Sequence, residues 1–226
     1  MKKYNIGCLI LHGFAGTRSE LSPIATIIEE NGFKTAVPLL YGHEASRKEL
    51  ALAKYSDWIA SANEEIETLE MQCEKIVIIG FSMGGLIAAN ICQKHKVEAI
   101  IFINTPIYYW NVNLICKNLM SDFYFYSKKY FASSADKPLT ALIQFVTLLN
   151  QTKPLFSNIN CPVMIFQTLD DDTVNPKSAL YIYTKIKGKK IIKRLKAGGH
   201  LVFQNETGTE ISNDICSFLN EIESNR

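Results

Sequence analysis

A serine between two glycines is the feature of this sequence with the clearest chemical meaning. Ser82 lies in the sequence GFSMG of residues 80–84. The β-branched run of residues 75–79 predicts a buried parallel strand, and residues 86–94 have a helical composition. A tight strand-to-helix turn would expose the serine Oγ to a base and leave no room for side chains at the flanking glycines. Ser82 is therefore predicted to be a nucleophile.

A second glycine-containing segment, HGFAGT at residues 12–17, directly follows the strand-like residues 6–11. When a serine beside such a loop attacks a carbonyl, the resulting oxyanion binds two backbone N–H groups. One comes from the loop and the other from the residue after the nucleophile. The predicted donors are the N–H groups of Phe14 and Met83.

The base that activates the serine follows from the positions of the four histidines. His12 belongs to the loop just described, His43 precedes the serine, and His95 lies at the polar end of the helix that follows it. His200 comes after the last predicted strand, in a glycine-containing loop that would let the ring approach Ser82. His200 is therefore the predicted base.

An acid is needed to orient the imidazole and to stabilise its charged form. The strand-like residues 162–168 end in three adjacent carboxylates, Asp170, Asp171 and Asp172. Three aspartates could also bind a cation, but they lack the spacing of an oxygen-donor loop, so no metal site is predicted. The residues alone leave all three as candidates for the acid.

Several motifs together resemble those of one protein family over nearly the whole chain. They are HGFAGT, PLLYGHE, GFSMGG, the D-x-x-V of residues 171–174, NPKSA and GGH. The sequence resembles the small bacterial carboxylesterase and monoacylglycerol lipase branch of the α/β-hydrolase superfamily. The resemblance implies Asp171 as the acid, because the aspartate of D-x-x-V has that role in the family. Glu44 replaces a glycine usual in the family and is expected to alter the mouth of the site.

The composition and charge of the chain limit which binding partners and which cellular location are expected. The chain has 226 residues, 47% of them apolar, and a formal charge of +2, which suits one α/β domain. The basic stretch at residues 185–196 is interleaved with apolar residues and predicts a strand rather than a nucleic-acid site. The six cysteines lack metal-ligand spacing and are expected to be free and buried. With no signal-peptide pattern or membrane span in the sequence, the predicted location is cytoplasmic; the oligomeric state is not predicted.

Strands and helices alternate along the chain except in one segment. Residues 1–104 and 154–226 are predicted to form the α/β-hydrolase core, a mostly parallel sheet with helices on both faces. Residues 105–153 contain ten aromatic residues and no strand-like run, which favours an inserted helical cap. One cap helix is expected to pack within the cap and to present an apolar face over Ser82, through Leu139, Leu142, Ile143, Val146 and Leu149.

These residues predict a serine hydrolase that needs no cofactor. Ser82, His200 and Asp171 would cleave a small lipophilic carboxylic ester through an acyl-enzyme intermediate. The resemblance implies esters of short to medium acyl chain, with monoacylglycerols among the candidates. Two alternatives are a thioesterase and a non-catalytic ligand-binding protein on the same scaffold.

Overall fold

A six-stranded parallel sheet forms the centre of the molecule, in the order β2-β1-β3-β4-β5-β6. The computed structural model describes residues 4–109, 112–125, 127–128 and 137–224. The strands are β1 (Tyr4–Leu11), β2 (Lys34–Ala36), β3 (Cys73–Phe81), β4 (Ala99–Ile103), β5 (Val163–Thr168) and β6 (Lys190–Leu195). β1, β3, β4 and β5 are almost entirely buried, because each has strands on both sides and helices across both faces.

The helices divide between the two faces of the sheet. They are α1 (Ser22–Glu30), α2 (Arg47–Leu52), α3 (Tyr55–Gln72), α4 (Met83–Ile91), α5 (Val112–Ser121), α6 (Leu139–Thr152), α7 (Lys177–Lys185) and α8 (Glu206–Ser224). Apolar side chains of α3, α4, α6 and α7 share one core cluster with the sheet. Those of α1 and α8 form a second cluster on the other face. The predicted parallel sheet with helices on both faces is confirmed.

The sequence predicts strands at residues 99–103 and 190–195 and a helix at residues 55–72, and β4, β6 and α3 have these bounds. The other predicted elements differ by a few residues at their ends. The short helix α2 was not predicted. It begins with a capping box, in which Ser46 and Glu49 bond reciprocally to each other's backbone N–H groups. At six residues it is too short to display an apolar period, so only its cap could have indicated it.

The structure corrects the predicted apolar face of the helix at residues 139–152. Leu139, Ile143 and Val146 are 71%, 55% and 44% exposed, whereas Phe145 is 1% exposed. The residues of α6 buried against the core are Ala141, Phe145, Leu148, Leu149 and Thr152. Apolar residues occupy most of the circumference of this helix, so two sets of them recur at helical spacing. Packing against α4 buries the set that contains Phe145.

The segment proposed as a cap is described in part. Its described portion contains α5 and α6, between β4 and β5 in the chain. Residues 110, 111, 126 and 129–136 lie outside the described residues. The division into a core and a cap at residues 105–153 stays a prediction.

Two predictions from composition can be compared with the structure. None of the described cysteines is in a disulfide. Cys92 and Cys161 are half-buried and Cys116 is exposed, so the expectation that all cysteines are buried is wrong for these three. Cys116 lies on α5, away from the sheet that buries Cys8 and Cys73. Within the described part of the chain, no helix has the length and apolar character needed to span a bilayer.

Candidate active site

Ser82 lies in the predicted turn between β3 and α4. Its φ and ψ are 51° and −121°, outside the usual regions for a residue with a side chain, and its N–H donates to the Ile103 carbonyl at 2.8 Å. A Cβ on Gly80 would lie 2.5 Å from the Gly85 Cα, and one on Gly84 would overlap the Leu11 carbonyl. The sequence GFSMG folds this way because glycine alone permits these close approaches.

The structure brings Ser82, His200 and Asp171 together in one chain of hydrogen bonds. The Ser82 Oγ lies 3.0 Å from the His200 Nε2, and the His200 Nδ1 lies 2.8 Å from the Asp171 Oδ2. The other oxygen of Asp171 accepts the N–H groups of Thr173 and Val174, each at 2.8 Å. Asp171 is fully buried, so these bonds hold its carboxylate in one orientation. With Nδ1 protonated toward Asp171, Nε2 is free to accept the serine proton.

Asp170 has a different role from its neighbour, which the sequence did not indicate. Its two carboxylate oxygens accept the N–H groups of Gly198 and Gly199, at 3.1 and 2.9 Å. Both glycines have positive φ, at 139° and 62°. Asp170 therefore holds the backbone of the loop that presents His200.

Asn104, just after β4, is a second residue that the sequence did not single out. It is fully buried and has a left-handed backbone, with φ at 45°. Its Nδ2 donates to the carbonyls of Gly199 and His200, at 3.2 and 3.1 Å, while its Oδ1 accepts the Thr168 N–H at 3.0 Å. The only signal in the sequence was a polar residue directly after a buried strand.

The loop at residues 12–17 lies against the serine. A Cβ built on Gly13 would be 3.2 Å from the Ser82 Cβ, and Phe14 lines the same cleft as Ser82. Met83 is the first residue of α4, so its N–H is one of the donors that a helix leaves without an internal partner. Phe14 thus lies in the same cleft as Ser82 and Met83 directly follows it in the chain, and their role as oxyanion donors stays a prediction.

His12, the first residue of this loop, packs against a second histidine, His43. His12 and His43 are buried, with ring centroids 4.8 Å apart. The His12 Nδ1 lies 3.0 Å from the Gly13 carbonyl, and the Leu40 N–H donates to the His12 Nε2 at 3.4 Å. Burial lowers the pKa of His12, which favours the neutral ring that this pair of bonds requires. Burial, and secondarily the nearby His12, lower the pKa of His43 to about 4.

His95 is far from the serine and bonds to Glu70 and Asn63, at 3.0 and 3.1 Å. Of the four histidines, only His200 bonds to Ser82. The described residues also contain no cluster of three or more side chains suited to hold a metal ion.

Ser82 and His200 line a cleft of about 550 Å³. One part of its wall is aromatic: the rings of Phe14 and Phe145 are stacked at 5.3 Å, and that of Tyr109 lies 5.0 Å from Phe145. Charged side chains on the wall are Glu20, Lys137 and Asp172. The cleft therefore combines an apolar surface with a polar one.

Glu44 lies outside this cleft, contrary to the expectation from the resemblance. It lines a separate, shallower groove with Arg18, to which it is ion-paired at 2.9 Å. Its φ is 55°, a conformation that glycine adopts without strain, which explains why a glycine suits this position.

Comparison with known families and proteins agrees with this geometry. Residues 9–115 match the family model of the alpha/beta hydrolase fold, and residues 66–211, well over half of the chain, match that of the BAAT / acyl-CoA thioester hydrolase C-terminal domain. The chain therefore belongs to the α/β-hydrolase superfamily. Relatives similar to this chain include proteins named monoacylglycerol lipase and carboxylesterase.

The alignments with individual relatives span most of this chain. The chain is 28% identical to the thermostable monoacylglycerol lipase of Bacillus sp. strain H-257, over 87% of this chain and 83% of that protein. It is 22% identical to a carboxylesterase of Bacillus subtilis strain 168, over 95% of this chain and 92% of that protein. A solved structure from work on LipS and LipT, two metagenome-derived lipolytic enzymes, matches with a TM-score of 0.81 and 22% identity, over 97% of this chain and 95% of that chain.

Proposed function

We propose that this protein is a serine hydrolase of carboxylic esters with short to medium acyl chains, monoacylglycerols among them, and that it works through an acyl-enzyme intermediate. The observation that carries the proposal is the hydrogen-bonded series from Ser82 through His200 to Asp171 at the wall of an open cleft. Relatives named as carboxylesterase and monoacylglycerol lipase support the substrate class.

Acylation begins when His200 takes the proton of Ser82 and the serine oxygen attacks the ester carbonyl. The charge that develops on the carbonyl oxygen is bound by the N–H groups of Phe14 and Met83. Asp171 stabilises the imidazolium without itself taking a proton. The tetrahedral intermediate then expels the alcohol, which receives its proton from His200.

Deacylation uses the same groups in reverse. A water molecule enters from the open side of the cleft and His200 removes its proton as it attacks the acyl carbonyl. The carboxylic acid leaves, and the proton on His200 returns to Ser82. The chemistry needs only this chain's residues and water.

The aromatic part of the cleft supports the choice of acyl chain. Phe14 and Tyr109, with the buried ring of Phe145 behind them, offer an apolar surface on which each buried methylene gains about 0.8 kcal/mol. We place the acyl chain there, with residues 105–153 as the cap that supplies Tyr109 and Phe145.

A thioesterase is the second candidate, favoured by the match to the BAAT / acyl-CoA thioester hydrolase family. The same three residues could cleave a thioester. An acyl-CoA, however, brings several phosphate groups to the mouth of the cleft, where the charged lining residues that the structure describes are Glu20, Asp172 and Lys137. This balance of charge favours an uncharged ester.

A fluorophosphonate probe tests whether the chain is an enzyme at all. The folded protein should be labelled on Ser82, and Ser82→Ala should abolish the labelling. Ser217→Ala, which changes an exposed serine of α8, is the matched control and should label normally. A folded protein that takes up no label, and hydrolyses neither a butyrate ester nor butyryl-CoA, would be the non-catalytic ligand-binding protein. Faster turnover of butyryl-CoA than of the ester would support the thioesterase.

A further inference from the structure

Two side chains on the cleft wall have opposite charge and no part in the proposed chemistry. Glu20 and Lys137 are half-buried, and both line the cleft that contains Ser82 and His200. They come from distant segments: Glu20 lies in the short 3-10 helix at Arg18–Leu21, and Lys137 lies just before α6. Opposite charges brought into one cleft from separate elements suggest a recognition role.

The Glu20 carboxylate is held in place at the edge of the site. It packs so closely on Gly16 that a Cβ there would lie 2.7 Å from the Glu20 Oε2. Burial raises the pKa of Glu20, while a bond from the Thr17 N–H and the charges of His200 and Lys137 oppose the rise. Glu20 thus lies in the same cleft as His200 and near enough for the charges of the two groups to interact.

The Lys137 ammonium makes no ion pair with any residue that the structure describes. Burial lowers its pKa and the charge of Glu20 opposes this, so the two groups interact across the cleft without touching. Because no described residue pairs with this half-buried ammonium, it gains from a hydrogen-bond acceptor on the substrate.

We propose that Glu20 and Lys137 form a polar subsite that selects substrates whose alcohol portion carries free, uncharged hydroxyl groups. A hydroxyl donates to the carboxylate and accepts from the ammonium, so a diol or polyol can satisfy both. An anionic alcohol portion is repelled by Glu20 and a cationic one by Lys137. The aromatic rings of Phe14, Tyr109 and Phe145 remain for the acyl chain. This inference rests on the proposed function and adds the determinant of alcohol preference.

The test compares two esters of one fatty acid on the purified full chain: the 1-monoacylglycerol and the propyl ester, which lacks the two hydroxyls. The unmodified protein should have a kcat/KM about tenfold or more higher for the monoacylglycerol, since bonds to charged groups are among the stronger ones. Lys137→Met and Glu20→Gln should each reduce this ratio about threefold or more. Both should leave the propyl ester within about twofold, which shows that the triad is intact.

Charge provides a readout that a merely structural role would not produce. Toward an ester whose alcohol portion carries a carboxylate, Glu20→Gln should raise kcat/KM and Lys137→Met should lower it. The exposed pair Glu30→Gln and Lys189→Met makes the same charge changes outside the cleft and should alter neither ratio.

Distinct results separate failure of the subsite from failure of the proposed function. A protein that hydrolyses the propyl ester without preferring the monoacylglycerol refutes the subsite alone. Variants that lose both activities equally also refute it, because the residues would then support the fold rather than select the alcohol. A protein that hydrolyses neither ester refutes the proposed function and the subsite together.

Discussion

Ser82, His200 and Asp171 follow three different strands, β3, β6 and β5, whose carboxyl ends lie at one edge of the sheet. The parallel arrangement places these ends together, as it does for binding sites in other open α/β sheets. The buried carboxylate of Asp171 is the most firmly fixed of the three, because one of its oxygens accepts two backbone N–H groups.

Ser82→Ala and His200→Ala should each abolish most ester hydrolysis, and the double variant should lose hardly more than either single one. The reason is that the serine is a weak nucleophile without the base, and the base has nothing to activate without the serine. Measured kcat values for the three variants check this. Losses that multiply would mean that the two side chains act independently.

Asp171→Asn should lower kcat by several orders of magnitude, about 10⁴ if the effect of a wrong imidazole tautomer transfers to this site. An amide can offer its N–H₂ to the His200 Nδ1, which then has to accept rather than donate, so Nε2 carries the proton and cannot act as a base. Asp172→Asn changes the adjacent carboxylate on the cleft wall and should cost less than about tenfold. The opposite ranking would assign the acid to Asp172.

Asn104→Asp should lower kcat while leaving KM within about threefold. The substitution is nearly isosteric, but it replaces the amide donor with an oxygen that faces the carbonyls of Gly199 and His200. Stability should also fall, by about 1–3 kcal/mol for a buried polar group that loses its partners. Urea unfolding and kcat, measured together, check this. A destabilised variant with normal kcat would show that Asn104 supports the fold without orienting His200.

At the level of the element, strands were easier to predict than helix faces. A central parallel strand is buried on both sides, so its sequence is an uninterrupted apolar run, and β4 (AIIFI) could be delimited to the residue. α6 is apolar around most of its circumference, and the sequence did not reveal that Phe145 rather than Ile143 faces the core. The site residues differ in the same way. Ser82 and His200 have glycines beside them in the sequence, which made them recognisable. Asn104 and Asp170 acquire their roles only through contacts with the distant loop at residues 198–200.

α6 provides a matched pair of substitutions for the acyl surface. Phe145→Leu removes ring area that contacts Phe14 and Tyr109 in the cleft, so the gain in kcat/KM per added acyl methylene should fall below the value of about fourfold that full burial gives. Ile143→Leu changes an exposed residue of the same helix and should leave the chain-length preference unchanged. A series of p-nitrophenyl esters from acetate to decanoate measures both. A uniform loss at every length in Phe145→Leu would instead indicate a general loss of folded protein.

At the level of the whole molecule, the loop that bears Phe14 depends on a buried group of histidines. His12, His43 and Trp58 lie together in the core, with the His43 and Trp58 ring centroids 5.7 Å apart. In the described structure, the His43 Nε2 and the Trp58 Nε1 have no hydrogen-bond partner. A charge on either ring would be poorly solvated here, so the native state requires both histidines to be neutral.

This requirement predicts a loss of stability in mild acid. The pKa of His43 is about 4 in the folded protein and about 6.5 in an unfolded chain, so between these values the unfolded state binds more protons. The free energy of unfolding should be highest above about pH 6.5 and should fall as the pH drops toward 4. From pH 7 to pH 5, His43 alone should account for about 2 kcal/mol of the loss.

His43→Gln should lower the difference between urea-unfolding free energies at pH 7 and pH 5 by about that amount, whatever its effect on stability at pH 7. His95→Gln, which changes a histidine held by Glu70 and Asn63 outside this group, should not reduce the loss in acid. If His43→Gln loses as much stability on acidification as the unmodified protein, the acid sensitivity arises elsewhere and His43 is not held neutral by its burial.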